Sequence, residues 1–354
     1  MTHTTAVSSD TQYFQYTRPF QLESGEILPG FQLAYHTYGQ LAPQRDNVIW
    51  VCHALTANAE VSDWWEGLYG EGKILDPTRY FIVCANMLGS CYGSTNGLSI
   101  NPLSQKPFYH SFPLLTNRDM VQAFDLLRQS LGISAIYLGL GGSMGGQHLL
   151  EWAIMQPEIF EHLFLVATNA QHSAWGIAFN EAQRMAIEAD ATWLTPSPTA
   201  GLQGMKAARA VALLSYRNYH TYFTTQHEAQ PEKFDQFKAA SYQQYQGEKL
   251  VKRFHTFAYW TLSKAMDSHH VGRGRGSVEQ ALARIRAKTL VMGISSDLLF
   301  PVSEQQFLAN HIPKASYIEI TSAYGHDGFL IEHQAITAEI HAFLKQPVPS
   351  QHIL

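Results

Sequence analysis

The chain is predicted to fold as an α/β protein, a mostly parallel sheet with helices on both faces, on three observations. Short apolar strand patterns alternate with amphipathic helical ones through the first half, and the same texture resumes after residue 287. The third is one strand that runs through a glycine-flanked serine straight into a helix, at Ala135-Ile-Tyr-Leu-Gly-Leu-Gly-Gly-Ser143-Met-Gly-Gly-Gln-His-Leu-Leu-Glu-Trp-Ala153. Strands covered on both faces read as near-continuous apolar runs, and parallel neighbours need crossover helices between them.

Along the chain, strands are expected at 47–51, 80–84, 135–139 and 163–166, with an amphipathic helix over 119–129. From about 171 to 286 strand signals vanish. Ala, Gln, Glu, Lys, Met and aromatics recur there at helical spacing, as in 205–216 and 254–266, with polar loops at 196–204 and 227–232. Strands resume at 289–294 and 317–320, and a last helix is expected over 335–344. Residues 1–170 and 287–354 therefore form the sheet domain, and 171–286 form a helical cap inserted into it. A cap over the carboxyl edge of the sheet would cover Ser143, because ligands of such sheets bind outside the strand ends.

Composition narrows the function. With 354 residues and 45% apolar content the chain can bury a large core, and its formal charge of −5 gives no basic field for a nucleic-acid backbone. Cys52, Cys84 and Cys91 make neither a full disulfide set nor a Cys-x-x-Cys zinc pattern, which fits a reducing cytoplasm. The first ten residues have no basic start or apolar stretch, and no run of eighteen apolar residues occurs, so neither a signal peptide nor a membrane span is expected. The seventeen histidines lack a His-Glu-x-x-His pattern and read as surface or packing residues; His269 and His270, beside Gly272-Arg-Gly-Arg-Gly276, are expected in a mobile loop.

The serine turn has two readings. A dinucleotide loop needs glycines at its first, third and sixth positions, and counting from Gly139 the sixth is Met144; no Gly-Lys-Ser/Thr exists for a phosphate loop either. A nucleophile elbow fits better: Gly141 and Gly145 leave room beside a serine held at a strained angle, and the N–H of Met144 and the helix dipole face the space where an oxyanion forms. A serine hydroxyl needs a histidine base and an acid to orient it, in the order serine, acid, histidine on this α/β-hydrolase plan. Asp297, in the turn after Leu290-Val-Met-Gly-Ile-Ser-Ser, and His326, in Ser322-Ala-Tyr-Gly-His-Asp-Gly-Phe-Leu330, stand in that order. Taken singly, Asp297 also reads as a turn or cap residue before Pro301, and His326 as a surface loop residue. The second oxyanion donor is expected from the loop after the first strand, at the N–H of Leu55.

Leu33-Ala-Tyr-His-Thr-Tyr-Gly39, Val51-Cys-His-Ala-Leu-Thr56, Ser99-Ile-Asn-Pro102, Gly141-Gly-Ser-Met-Gly-Gly146, Ser296-Asp-Leu-Leu-Phe-Pro301 and Tyr324-Gly-His-Asp-Gly-Phe-Leu330, with 80–94, closely resemble the homoserine O-acetyltransferase family. The resemblance implies acyl transfer from acetyl-CoA to the hydroxyl of L-homoserine, an early step of methionine synthesis, with no permanently bound cofactor. It implies Ser143, Asp297 and His326 as triad, and Leu55 and Met144 beside the oxyanion. Gly204-Met-Lys-Ala-Ala-Arg209 resembles the family's Gly-Leu-x-x-Ala-Arg segment, which implies that Arg209 grips the amino acid's carboxylate. Asp327 matches the family's substrate aspartate and would meet the ammonium. A homodimer is implied by resemblance alone. The chain departs from the family at Ala57, at Arg253-Phe-His255 and at Asp267-Ser-His-His270. Succinyl-CoA as donor, serine as acceptor, and plain ester hydrolysis stay open as alternatives, and no residue is assigned to the CoA phosphates.

Overall fold

The computed structural model describes residues 10–345. The first nine residues, where no signal peptide is expected, and residues 346–354 lie outside them. Eight strands form the main sheet: β1 (Gln12–Tyr16), β2 (Phe31–Tyr38), β3 (Val48–Cys52), β4 (Phe81–Ala85), β5 (Ile136–Gly142), β6 (Phe160–Val166), β7 (Lys288–Ile294) and β8 (Ala315–Ile320). Their spatial order is β1-β2-β4-β3-β5-β6-β7-β8. The pairs β1 with β2 and β2 with β4 are antiparallel, and every later pair is parallel. The sheet is thus mostly parallel, as expected from the sequence, with an antiparallel edge that the sequence reading did not place.

Period-two alternation sets the two faces. On β3, Trp50 and Cys52 enter one apolar cluster while Ile49 and Val51 enter the other. Trp50 meets Trp152 edge-on with ring centroids 5.0 Å apart, which packs helix α2 (Met144–Met155) onto the centre of the sheet. Helix α1 (Asn117–Ser130) begins at Thr116 with a reciprocal cap: Thr116 Oγ1 accepts from the Asp119 N–H, and the Asp119 carboxylate accepts from the Thr116 N–H at 2.8 Å. That starts the helix two residues before the expected 119.

Between β6 and β7 the chain forms six helices: α3 (Ala174–Glu188), α4 (Leu202–Tyr216), α5 (Tyr219–Gln226), α6 (Lys238–Val251), α7 (Thr256–Asp267) and α8 (Val278–Leu282). Two expected bounds shift. Gly201, at φ 71°, lets α4 start at Leu202, inside the expected loop over 196–204. His255 caps α7, its Nδ1 accepting the Ala258 N–H at 3.0 Å, so that helix opens at Thr256 rather than at 254.

The segment expected to be a mobile loop at 269–276 is instead built in. His269 is buried and its Nε2 donates to the Asn169 carbonyl at 3.0 Å, while Gln171 and His270 form an antiparallel bridge. Arg275 and Arg118 both pair with the buried carboxylate of Glu151 on α2. Burial pushes that carboxyl up, but the two guanidiniums outweigh it and hold Glu151 below the usual carboxylate range. Glycines read as looseness in a sequence; here the neighbouring charges fix the backbone. Cys52, Cys84 and Cys91 are buried free thiols, and among the described residues no helix is long and apolar enough to cross a membrane.

Among the described glycines, the approach of α2 to the sheet leaves the least room against backbone. A Cβ on Gly145 would lie 2.0 Å from the Cys52 carbonyl oxygen, and one on Gly141 would lie 2.5 Å from the Gly145 oxygen. Both neighbours are backbone and cannot rotate away. Gly145→Ala is therefore expected to cost about 2 kcal/mol or more. Urea unfolding checks this, and a parental midpoint would contradict it.

Candidate active site

Ser143 sits between the last residue of β5 and the first of α2 at φ 55° and ψ −128°. A non-glycine residue pays about 1–3 kcal/mol for such a backbone, so the surroundings must impose it. They do so with hydrogen bonds: the Ser143 N–H donates to the Val166 carbonyl at 3.0 Å, and the Thr168 hydroxyl donates to the Ser143 carbonyl at 2.8 Å. The side chain is lifted clear of the sheet edge.

Asp297 follows β7 and uses its two oxygens differently. Oδ1 accepts the N–H groups of Leu299 and Phe300 at 2.8 and 2.9 Å, and Oδ2 accepts from His326 Nδ1 at 2.6 Å. The turn role and the acid role are thus both real, one per oxygen. With Nδ1 donating, His326 Nε2 is left bare and lies 2.9 Å from Ser143 Oγ, where it can accept the hydroxyl proton. The imidazole is buried and stacks on Phe300, with centroids 5.0 Å apart and planes at 22°. Its loop is tied to the β7 turn by the Gly325 N–H donating to Ser296 Oγ at 3.0 Å. So three side chains distant in sequence meet in one hydrogen-bonded line.

Among the described residues the N–H groups of Leu55 and Met144 make no hydrogen bond, and Leu55 lines the cleft into which Ser143 opens. His53 holds the Leu55 loop: its Nδ1–H donates to the Ala54 carbonyl at 2.9 Å while its Nε2 accepts the Met87 N–H at 3.3 Å. Ser143 and His326 open into a cleft of about 670 Å³ whose walls include Leu55, Arg209, Tyr216 and Asp327. The Arg209 guanidinium lies 5.5 Å from the Tyr216 ring centroid, and its Nε is buried without a hydrogen-bond partner. Asp327 is paired with Arg217, its Oδ2 3.1 Å from that guanidinium's Nε. Burial still pushes the Asp327 carboxyl up, against the pull of Arg217 and Arg209.

Of the site residues expected from the sequence, Leu55, Ser143, Arg209, His326 and Asp327 line one cleft, Asp297 stands behind His326, and Met144 opens the helix that follows Ser143. Sequence reasoning missed Arg217, Thr168, Ser296 and Phe300. A residue just past a helix end, or a hydroxyl behind a strand, carries no local pattern that marks it.

The chain matches the family model of the alpha/beta hydrolase fold over residues 47–332. It is 51% identical over 332 residues to the homoserine O-acetyltransferase of Cyclobacterium marinum, covering 94% of each chain. The chain belongs to the homoserine O-acetyltransferase family. The crystal structure of that family's member from Bacillus anthracis superposes with a TM-score of 0.88 over 96% of this chain and 98% of that one, at 24% identity. The acetyl esterase MekB shares the same fold, with a TM-score of 0.83 at 25% identity over 95% of this chain and 97% of that one. Within this family of acyltransferases the sheet plan is therefore shared with enzymes named as hydrolases.

Four buried histidines bear on stability. Burial depresses His53 and His269 to about 4, and His148 and His172 to about 3. Each would take a proton near pH 6.5 in the unfolded chain. Below that pH the unfolded chain binds more protons than the folded one, so stability falls as the pH drops from about 6.5 toward 4. Glu304, which burial raises to about 7, slopes the other way, as do the raised carboxyls of Asp119, Asp267 and Asp327, while the lowered His36, His110, His162 and Glu151 add to the fall. Thermal melting scanned over that range should show a midpoint falling with pH; a flat or rising midpoint would contradict it.

Proposed function

We propose that the protein transfers an acetyl group from acetyl-CoA to the side-chain hydroxyl of L-homoserine through an acyl-serine intermediate. The observation that carries this reading is the unbroken line from Asp297 Oδ2 through His326 to Ser143 Oγ, ending in the cleft that also holds Arg209 and Asp327. The names of the relatives at up to 51% identity support acetyl as the group and homoserine as acceptor.

In the first half, His326 Nε2 takes the Ser143 proton as Oγ attacks the thioester carbonyl carbon. The N–H groups of Leu55 and Met144 receive the oxyanion, a contribution worth about 3 kcal/mol per donor in related sites. The C–S bond breaks, and the thiolate leaves with the proton returned from Nε2. In the second half the homoserine hydroxyl gives its proton to Nε2 and its oxygen attacks the acyl carbon. Ser143 Oγ departs and recovers that proton. The balance closes: acetyl-CoA and homoserine enter, CoA and O-acetylhomoserine leave, and Ser143 and His326 return to their starting state. Asp297 keeps the imidazole in the Nδ1–H form throughout.

An amino-acid acceptor explains the charges around the hydroxyl. A buried guanidinium N–H left unpaired costs about 1–3 kcal/mol, and a substrate carboxylate arriving at Arg209 removes that cost with a bidentate contact. The ammonium would meet Asp327, whose carboxyl stands raised until a further cation arrives. Residues 171–286, read as the cap, would supply Arg209 and keep water from the acyl-serine. Helices α4, α5 and α6 expose Leu214, Tyr219, Phe223 and Tyr245, an apolar set that suits the homodimer implied by family likeness.

An acylation assay and two substitutions test the reading. Acetyl-CoA alone should add one acetyl mass to Ser143, and on adding homoserine the label should leave as O-acetylhomoserine rather than acetate; dominant acetate would make the protein an esterase or thioesterase. Succinyl-CoA and serine run beside them test the other donor and acceptor. Ser143→Ala should lower turnover by at least about 10⁴-fold with folding intact. Arg209→Lys keeps the charge but loses the planar fork, so KM for homoserine should rise about tenfold or more while acylation by acetyl-CoA stays unchanged. If acylation falls equally, Arg209 does not serve the acceptor.

A further inference from the structure

The cleft has a second set of charges, at its mouth. Lys249, in the last turn of α6, and Lys252, just past it, stand three positions apart and both line the cleft. Side chains at that spacing share a helix face. Both lysines are exposed, and neither makes an ion pair or hydrogen bond among the described residues. Beside Lys249 on the same helix, Glu248 is taken by Lys206 at 2.5 Å. A helix C-terminus favours cations in its own right, which accounts for Lys249 but not for two ammoniums facing one opening. Arg253, next in the chain, turns inward and donates to the Thr56 carbonyl and the Tyr92 hydroxyl, each at 2.6 Å. It thereby ties the end of α6 to the loop that carries Leu55. The cleft lining also includes Glu60 and Asp63, so the α6 side is the cationic one.

This arrangement answers a problem set by the donor, provided the protein uses acetyl-CoA as proposed above. An acyl-CoA carries its thioester on a long neutral amide arm, with a diphosphate and a sugar phosphate at the far end. The acyl carbon must reach Ser143, but a polyanion cannot follow it into a buried floor without a large desolvation penalty. The phosphates must stay where cations meet solvent. The chain has a formal charge of −5 and offers no general attraction, so a local pair of free ammoniums matters more. We infer that Lys249 and Lys252 hold the phosphates of the acyl-CoA donor, with the neutral arm running down the cleft past Leu55 to Ser143. Donor and acceptor are then recognised at separate charged sites, the phosphates at the mouth and the amino acid at Arg209 and Asp327.

The test compares two donors that share the thioester and its neutral arm and differ in the phosphorylated nucleotide: acetyl-CoA and acetyl-pantetheine. In the double variant Lys249→Ala, Lys252→Ala, KM for acetyl-CoA should rise about tenfold or more, the loss expected for charge-assisted contacts, while kcat/KM for acetyl-pantetheine stays unchanged. Calorimetric titration with CoA and with pantetheine should show the parent favouring CoA and the variant losing that preference. Added salt should weaken CoA binding to the parent more than to the variant. An active variant with parental KM for acetyl-CoA would overturn the inference alone. An equal loss on both donors would also overturn it, because it would mean a disturbed cleft. A parent that transfers acetyl from neither donor to homoserine would overturn the proposed function and this inference with it.

Discussion

The structure depends on one close approach, the first turn of α2 against the end of β3. Cα of Gly145 comes so near the Cys52 carbonyl that no side chain fits between them. That distance forces the bend, and the bend puts Ser143 at a backbone angle that serine avoids. Strain of this kind persists only where surrounding contacts fix it from several sides. Val166 and Thr168 fix it from β6 and its following turn, Trp50 and Trp152 from the sheet face. The hydroxyl is therefore aimed before any substrate arrives.

The same economy appears in the polar groups behind the site. Asp297 divides its oxygens between a turn and an imidazole, and His53 satisfies both ring nitrogens while holding the loop that carries Leu55. Buried polar groups are costly when half satisfied, so groups that do two jobs leave fewer orphans. Arg209 is the contrast, with its buried Nε–H unsatisfied in the wall of the cleft. Consecutive residues also divide the work: His326 turns to Ser143 and Asp327 turns to Arg217.

Much of this was legible in the sequence because it is written in local pattern. The apolar runs of β3 to β8, the glycines around Ser143, and the turns that hold Asp297 and His326 each announce themselves within a dozen residues. What could not be read is what arises between segments. The antiparallel edge of β1 and β2 depends on pairing register, for instance Tyr13 with Ala34, that no local period encodes. Arg217 becomes a partner of Asp327 only because α4 ends above the histidine loop. His269 looks mobile beside its glycines, and it is the Asn169 carbonyl and the Glu151 pair with Arg275 that fix the segment.

The bridge between Gln171 and His270 has a wider meaning. It brings the departure and return of the helical excursion to one spot on the sheet's rim, so that the chain leaves for α3 and comes back from α7 through a single doorway. Strand register on either side is indifferent to what fills that excursion. Helices inserted there can vary without moving the strand ends that carry Ser143 and Asp297.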